Sequence, residues 1–521
     1  MTAEAPLLDV LKSGSTTTIS MTELERTPTS RDPWTIVQGS PAVSVPAGVA
    51  WSAVPNTATV GFTSEGTTAF YAPIAENGFK ATKDNATTTF SIDVDKASYA
   101  NVRRFLMANV TPPPDAVRVE EMINYFAYHY PQPSDGRPFA VSTEVAGCPW
   151  NTAHRLLRIG IQGKTTEQWQ LAPNNLVFLL DVSGSMAPHD RLPLIKASLR
   201  LLVDQLRADD TVAIVVYAGA AGLVLPPTSG ADKPTILAAL DRLEAGGSTN
   251  GADGIRLAYK TAKEKFLTKG NNRVILATDG DFNVGVSSFN DLTKLIEEQR
   301  SRNIYLTCLG VGTDNLQDGK IELLADKGNG NYFYIDSINE AKKVFQRELA
   351  GTLVTVADDV KVQLAFDPTA VASYRQIGYE NRALNNKDFT DDTKDAGELG
   401  SGHSVTALYE IEPLRTSGTI ATLKIRYKEP GALSSQEVAT VINDEGHSVY
   451  DASPDTQFAA AIAEFGMLLR NSKHKGTATW ADVTALARAM RGEDMEGYRE
   501  EVLRMIDSGR SLLGDHQVAT K

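Results

Sequence analysis

At 521 residues the chain is too long for one ordinary core, and at ~100–200 residues per domain it divides into several. Its composition, 42% hydrophobic and 22% charged, is that of a globular protein, and no run approaches the ~18 uninterrupted apolar residues of a membrane span. A formal charge of -13 without a dense basic run argues against a nucleic-acid partner and fits cationic partners or metal ions.

Residues 1–75 are rich in Thr, Ser, Ala and Pro and lack long periodic segments, which predicts a disordered or extended lead-in. Residues 76–170 read as a first flanking module. In it 89–95 alternates like a strand, 98–106 has helical spacing with Ser98 as its cap, 119–126 is a second short helix and 139–145 a strand. From 171 to 350, apolar strands at 176–180, 211–217, 273–278, 304–311 and 332–335 alternate with helical patterns at 192–206, 235–244, 251–266 and 289–301. That alternation predicts an α/β, doubly wound, mainly parallel sheet covered on both faces. Residues 355–450 return to period-two strands at 360–366, 405–411 and 422–427, the mark of an antiparallel, β-rich module, and 455–510 are helical. The ends of a doubly wound domain can lie close together, so modules 76–170 and 355–450 are expected to pack with each other around an inserted domain.

Two cysteines, Cys148 and Cys308, cannot build a disulfide framework. Cys308 lies inside an apolar strand and Cys148 has no basic neighbour in sequence to lower its pKa, so both read as packed thiols.

The chemistry concentrates in Asp181-Val182-Ser183-Gly184-Ser185, directly after the apolar run 176–180, at the strand end where open α/β sheets bind ligands. Alone, the pentapeptide is compatible with ordinary Asp and Ser turn bonding. Thr249, in a Gly-rich loop just before a helix, and Asp279, at the end of strand 273–278, add two more oxygen donors at the same sheet edge. Three hydroxyls and two aspartates suit Mg2+, which keeps several waters and is held by only one or two carboxylates. A partner's carboxylate could complete such a shell.

This Asp-x-Ser-x-Ser, with a distant Thr and a later Asp, resembles the metal-ion-dependent adhesion site of the von Willebrand factor type A family, over about residues 172–350. The resemblance implies Ser183, Ser185 and Thr249 as hydroxyl ligands, with Asp181 and Asp279 acting directly or through water. The ion implied is Mg2+ or another divalent cation such as Mn2+ or Ca2+. The flanking blocks from Ser91-Ile92-Asp93-Val94-Asp95 to Cys148-Pro149-Trp150-Asn151, and from Tyr374 to Glu410, are similar to a bacterial YfbK-type subfamily. That resemblance suggests an exported or cell-envelope location, whereas the start Met1-Thr2-Ala3-Glu4-Ala5 carries none of the marks of a secretory signal, so location stays open.

Competing chemistries fit less well. A phosphatase with Asp181 as nucleophile needs a second Asp two positions on as general acid and base, and Ser183 stands there. Gly163-Lys164-Thr165 lacks the earlier glycine of a phosphate-binding loop, whose place Arg158 takes. His189, near the oxygen cluster, reads as a solvated loop residue. The acidic run Asp388, Asp391, Asp392, Asp395 and Glu398 lacks calcium-loop spacing and reads as a turn with internal salt links. The sequence therefore points to a non-enzymatic, divalent-cation-dependent binding protein that recognises an Asp or Glu carboxylate on a protein partner. The alternative is an envelope-associated structural scaffold in which the metal only stabilises the domain.

Overall fold

The computed structural model describes residues 69–166, 172–248, 251–280, 286–348, 351, 354–394 and 396–514. Most of the expected lead-in, Thr249 and Asp395 lie outside the described residues.

The first flanking segment contributes strands β1 (Lys80–Ala81) and β2 (Thr87–Ser91), helices α1 (Ala97–Met107) and α2 (Val119–Asn124), and the long hairpin β3 (Phe139–Cys148) and β4 (Asn151–Gly163). Ser98 does not cap α1: the cap position is Lys96, with no side-chain cap bond. The Ser98 hydroxyl is instead donated to the Ala116 carbonyl at 2.7 Å and accepts the Arg118 N–H at 2.9 Å. The Ser98 N–H is taken by the Glu121 carboxylate at 2.8 Å, so a side chain 23 residues away satisfies the helix start.

The inserted α/β unit follows in the order β5 (Asn174–Asp181), α3 (Leu192–Gln205), β6 (Thr211–Tyr217), β7 (Ala221–Ser229), α4 (Lys233–Asp241), α5 (Gly251–Glu264), β8 (Asn271–Thr278), α6 (Val286–Arg300), β9 (Tyr305–Gly310), α7 (Asp318–Lys327), β10 (Tyr332–Tyr334) and α8 (Ile338–Lys343). Its sheet runs β10-β9-β8-β5-β6-β7, with every neighbouring pair parallel except β6 and β7. Because helices cover both faces, the central strands are continuous apolar runs rather than alternating ones. Leu176, Phe178 and Leu180 pack on one face with Leu199 and Ile236, and Val177 and Leu179 on the other with Ile255, Ala258 and Ile296. Ala97 and Ala100 of α1 belong to this second cluster, so the flanking segment packs into the α/β core.

The chain then returns to the flanking module through β11 (Thr355–Phe366), β12 (Val371–Ile377), β13 (Ala383–Leu384), β14 (Gly397–Gly400), β15 (Ser404–Pro413), β16 (Gly418–Lys428) and β17 (Gln436–Asp444). The two flanking segments share two sheets, β1-β12-β15-β4-β3 and β13-β2-β11-β16-β17. Register runs from Gln162 opposite Ser404 to Arg155 opposite Ile411, and Ser91 lies opposite Lys361. Phe90, Ile159, Val362, Tyr409 and Ile425 fill the space between the sheets. Helices α9 (Pro454–Leu469), α10 (Trp480–Ala489) and α11 (Tyr498–Leu513) close the chain. Helix α9 starts with Ser453 accepting the Thr456 N–H and Pro454 in its first turn, and is buried against α2 through Phe458, Ile462 and Met122. Cys148 and Cys308 are free and buried, and burial raises both thiol pKa values, as expected of packing residues.

Three buried arginines join the α/β unit to its flanks. Arg103 on α1 binds Asp336 at 2.5 Å, Glu340 at 2.8 Å and Glu501 at 3.0 Å. Arg118 pairs with Asp318 at 2.6 Å and with Glu121. Arg382 pairs with Asp326 at 2.7 Å, Asp95 at 3.0 Å and Asp93 at 3.1 Å. Among the described residues no helix is long and apolar enough to cross a membrane.

Candidate metal site at the sheet edge

Asp181 is the last residue of β5 and has no exposed surface. One carboxylate oxygen accepts the Ser183 N–H at 2.9 Å and the other faces the Thr278 hydroxyl at 3.3 Å. Ser183 is extended, Gly184–Met186 make a single 3-10 turn, and this brings the Ser183 and Ser185 hydroxyls to 3.1 Å from each other. Gly184 N–H donates to the Gly247 carbonyl at 3.0 Å, and Gly246 N–H to the Val182 carbonyl at 2.7 Å. These two bonds tie the Asp-x-Ser-x-Ser turn to the loop that leads to Thr249, although Thr249 itself lies outside the described residues.

Asp279 directly follows β8 and is also fully buried. Gly280 turns the chain at φ +92, where a Cβ would stand 2.4 Å from the Gln317 nitrogen, so the turn requires glycine. Asp279 accepts from the Arg191 guanidinium at 2.9 Å and from the Asn315 amide at 2.9 Å. The same Arg191 nitrogen donates to the Ser185 carbonyl at 2.6 Å, and its other terminal nitrogen pairs with Asp314. One guanidinium thus ties together the loops after β5, β8 and β9. Asp181, Ser183, Ser185 and Asp279 stand at one sheet edge, as their motif spacing implied. Arg191, Asp314 and Asn315 were not legible in advance, and the signal available was only their position just beyond strand ends of the same sheet edge.

The two aspartates differ in electrostatics. Burial pushes the Asp181 pKa up to about 6, the Asp279 charge adds to the rise, and hydrogen bonds from Ser183 and Tyr217 oppose it. None of these influences is a cation, so the fold leaves a buried carboxylate beside two hydroxyls with its charge poorly compensated. Asp279 already shares its charge with Arg191, which suits contact with an ion through water. Hard oxygen donors, incomplete charge compensation and paired hydroxyls are chemically apt for a divalent cation of the magnesium type.

The connection from β9 to α7 reaches both this site and the flanking module. Asp314 and Asn315 turn to Arg191 and Asp279. Their neighbours turn the other way: the Thr313 carbonyl accepts from Arg104 at 3.3 Å, the Leu316 carbonyl from Phe70 N–H at 2.8 Å, and Asp318 from Arg118 at 2.6 Å.

Other candidates resolve into structural roles. The carboxylates of Asp95, Glu121 and Glu322 come within 4.8 Å of one another, but Arg118 and Arg382 supply the positive charge there. In the acidic run, Asp392 pairs with Arg426 at 3.1 Å, Asp391 accepts the Thr393 N–H at 2.9 Å, and Glu398 bonds Asn329. His189 is exposed in the loop after the site.

Comparison with known proteins places this architecture. The family described as von Willebrand factor type A domain matches residues 175–347, and a family described as von Willebrand factor matches residues 65–158. The C-terminal family of the protein YfbK matches residues 351–420 and 414–512. Uncharacterized protein YfbK of Escherichia coli (strain K12) is 43% identical over 467 residues, covering 84% of this chain and 81% of that protein. The chain belongs to the YfbK family. Its α/β unit is a von Willebrand factor type A domain, a class that mediates protein–protein interactions and commonly binds a divalent cation. A Magnesium-chelatase 67 kDa subunit of Chlorobaculum parvum is 24% identical over 244 residues, 41% of this chain and 39% of that one. The solved structure of von Willebrand factor type A from Catenulispora acidiphila aligns over 72% of this chain and 90% of that chain, at 17% identity and a TM-score of 0.42.

Proposed function

We propose that this YfbK-family protein binds a protein partner through one divalent cation, Mg2+ in the first instance, which receives an Asp or Glu carboxylate from that partner. Ser183, Ser185 and Thr249 would hold the ion, with Asp181 and Asp279 acting directly or through water. The observation that carries this reading is the buried Asp181 carboxylate beside two hydroxyls 3.1 Å apart, its pKa raised to about 6 chiefly by burial. When bound, the ion would supply an electrophilic point of attachment. The chain's own part is to hold the hydroxyls together, fix Asp279 through Arg191 and present the edge to a partner. Ser183, where a phosphatase would need a second Asp, favours binding over catalysis.

Calorimetric titration with Mg2+ and partner pull-down with and without chelator test this in wild type, Asp181→Ala and Thr249→Ala. The reading predicts Mg2+ uptake by wild type alone and capture that disappears with chelator or either substitution. Capture that persists through all of these conditions refutes metal-mediated binding. If Mg2+ is still taken up, that result favours a second reading, a scaffold whose metal only stabilises the domain. The ties from the site into the flanking module through residues 313–318 support that alternative.

A further inference from the structure

Helix α7 meets the α/β core through Ile321, Leu324 and Ala325, and the flanking segments through a charged face. Asp318, Glu322 and Asp326, four residues apart, line that face. Opposite them stand three more carboxyl groups, Asp93 and Asp95 after β2 and Glu121 in α2, with the guanidiniums of Arg118 and Arg382. Glu322 is 3.7 Å from Arg118 and 3.8 Å from Arg382, which joins the two sets of ion pairs into one network. Neutral donors add to it: the Tyr332 N–H reaches Asp95 at 2.6 Å, the Tyr332 hydroxyl Asp318 at 2.9 Å and the Asn381 amide Glu322 at 2.6 Å. Full ionisation would still set three carboxylates of α7 against three of the flank with two cations between them. Asp95, Glu121, Asp318 and Glu322 are buried, so water screens their repulsion poorly, whereas Asp93 and Asp326 form a half-buried rim where protons can exchange.

We infer that this network is a pH-sensitive latch between α7 and the flanking segments. Shared protons hold it closed in mild acid, and their loss toward neutral pH sets like charges against each other across the joint and lets α7 ease away. Burial raises the Asp95, Glu121 and Asp326 carboxyls above their ordinary range, Asp326 to about 7, where Arg382 opposes the rise and Asp93 and Glu322 add to it. Glu120 and Glu380, next to Glu121, are raised by burial as well, Glu120 to about 8. The Cys308 thiol and the Tyr71 and Tyr332 hydroxyls against the network are pushed up and stay neutral. The sign follows from linkage: a carboxyl that keeps its proton while α7 is docked and gives it up on release makes release easier as pH climbs. For Asp326 that window runs from about 4 to about 7. The effect reaches the sheet edge, because residues 313–318 lead into α7 and carry the Asn315 that bonds Asp279. The latch itself needs no metal.

Hydrogen exchange of the full chain in chelator, from pH 5 to 8 and corrected for the intrinsic pH dependence of amide exchange, reads the opening of α7. The opening constant of wild type divided by that of Asp326→Asn should rise about tenfold per pH unit between pH 5 and 7 and level off above. Asp95→Asn, whose remaining oxygen can still accept the Tyr332 N–H, should likewise flatten the wild-type slope. Helix α3, on the other face of the sheet, should show neither effect. A ratio that stays flat across this range for both variants overturns the latch. So does an equal pH trend in α3 and α7, because the whole fold rather than the joint would then be responding.

Discussion

Replacing Asp181 by Asn should make the metal-free protein more stable while removing its response to metal. The Asp181 carboxyl rises from its ordinary 3.8 to about 6 in the fold, and at 1.36 kcal/mol per pKa unit that costs ~3 kcal/mol once the group is ionised. The sign follows from linkage. The folded pKa exceeds the unfolded one, so the penalty is absent below pH 3.8, grows as pH rises and is complete above about 6. Asn is neutral and isosteric, and its carbonyl can still accept the Ser183 N–H. The Thr278 contact to the other oxygen is disturbed, a loss of about 1 kcal/mol. The net gain is therefore ~2 kcal/mol at pH 7.5, falling below about 1 kcal/mol at pH 5. Thermal melting in chelator across pH 5 to 8 should show the variant about 2–4 °C above wild type at the upper end, with the gap narrowing toward pH 5. Added Mg2+ should reverse the order, because wild type alone gains about 2.7 kcal/mol when the free ion reaches ~100 times its dissociation constant. A variant that melts below wild type in chelator at pH 7.5 would refute the claim that the site holds an undercompensated charge.

Glu464, buried in α9 with neither carboxylate oxygen bonded, has its pKa raised to about 8 by burial, so its cost also grows with pH. Glu464→Gln should stabilise by ~3 kcal/mol at pH 7 and by more above pH 8, and urea midpoints that do not diverge from wild type between pH 5 and 8 would contradict this. Arg382→Ala leaves Asp93, Asp95 and Asp326 without their shared partner, a loss of about 3–5 kcal/mol readable as a lowered urea midpoint that recovers partly in acid. Hydrogen exchange should show that Mg2+ protects not only the turn after β5 but also residues 313–318 and the Phe70 amide bonded to them. Asn315→Ala should shorten that footprint to the turn alone.

The central strands of the α/β sheet were readable because burial on both faces forces unbroken apolar runs. Strand β7 escaped notice because it is an antiparallel edge strand whose run is broken by Pro226 and Pro227, residues that an edge tolerates and a central strand does not. Helix α7 was hidden by Gly319 and by its buried Asp318 and Glu322, which are inward-facing through arginine pairs rather than apolarity. The Ser98 cap was misread because a local signal cannot reveal that Glu121 will arrive from another helix. At the site, Asp181, Ser183, Ser185 and Asp279 stand out because their residue types recur at strand ends in a fixed order. Arg191, Asp314 and Asn315 do not, since a loop arginine and two loop polar residues look the same whether they face water or each other.

The shared sheets of the flanking module also dictate an order of folding. Strand β4 ends at Gly163 and its partner β15 begins at Ser404, while β2 waits for β11 beyond Thr355. At ~5–20 residues per second of synthesis, β4, paired on one edge with β3, spends roughly 10–50 s on the ribosome with its other edge open before β15 exists. The α/β unit, whose strands neighbour one another closely in sequence, can close during that interval and bring the chain ends at its base together. Its prior closure would shorten the loop that β4 and β15 must span, turning a pairing across some 240 residues into a nearly local one. The inserted domain would then act as the clasp on which the rest of the chain assembles, and a mutation that slows its closure should appear first as aggregation through unpaired β2 and the open edge of the β3–β4 hairpin.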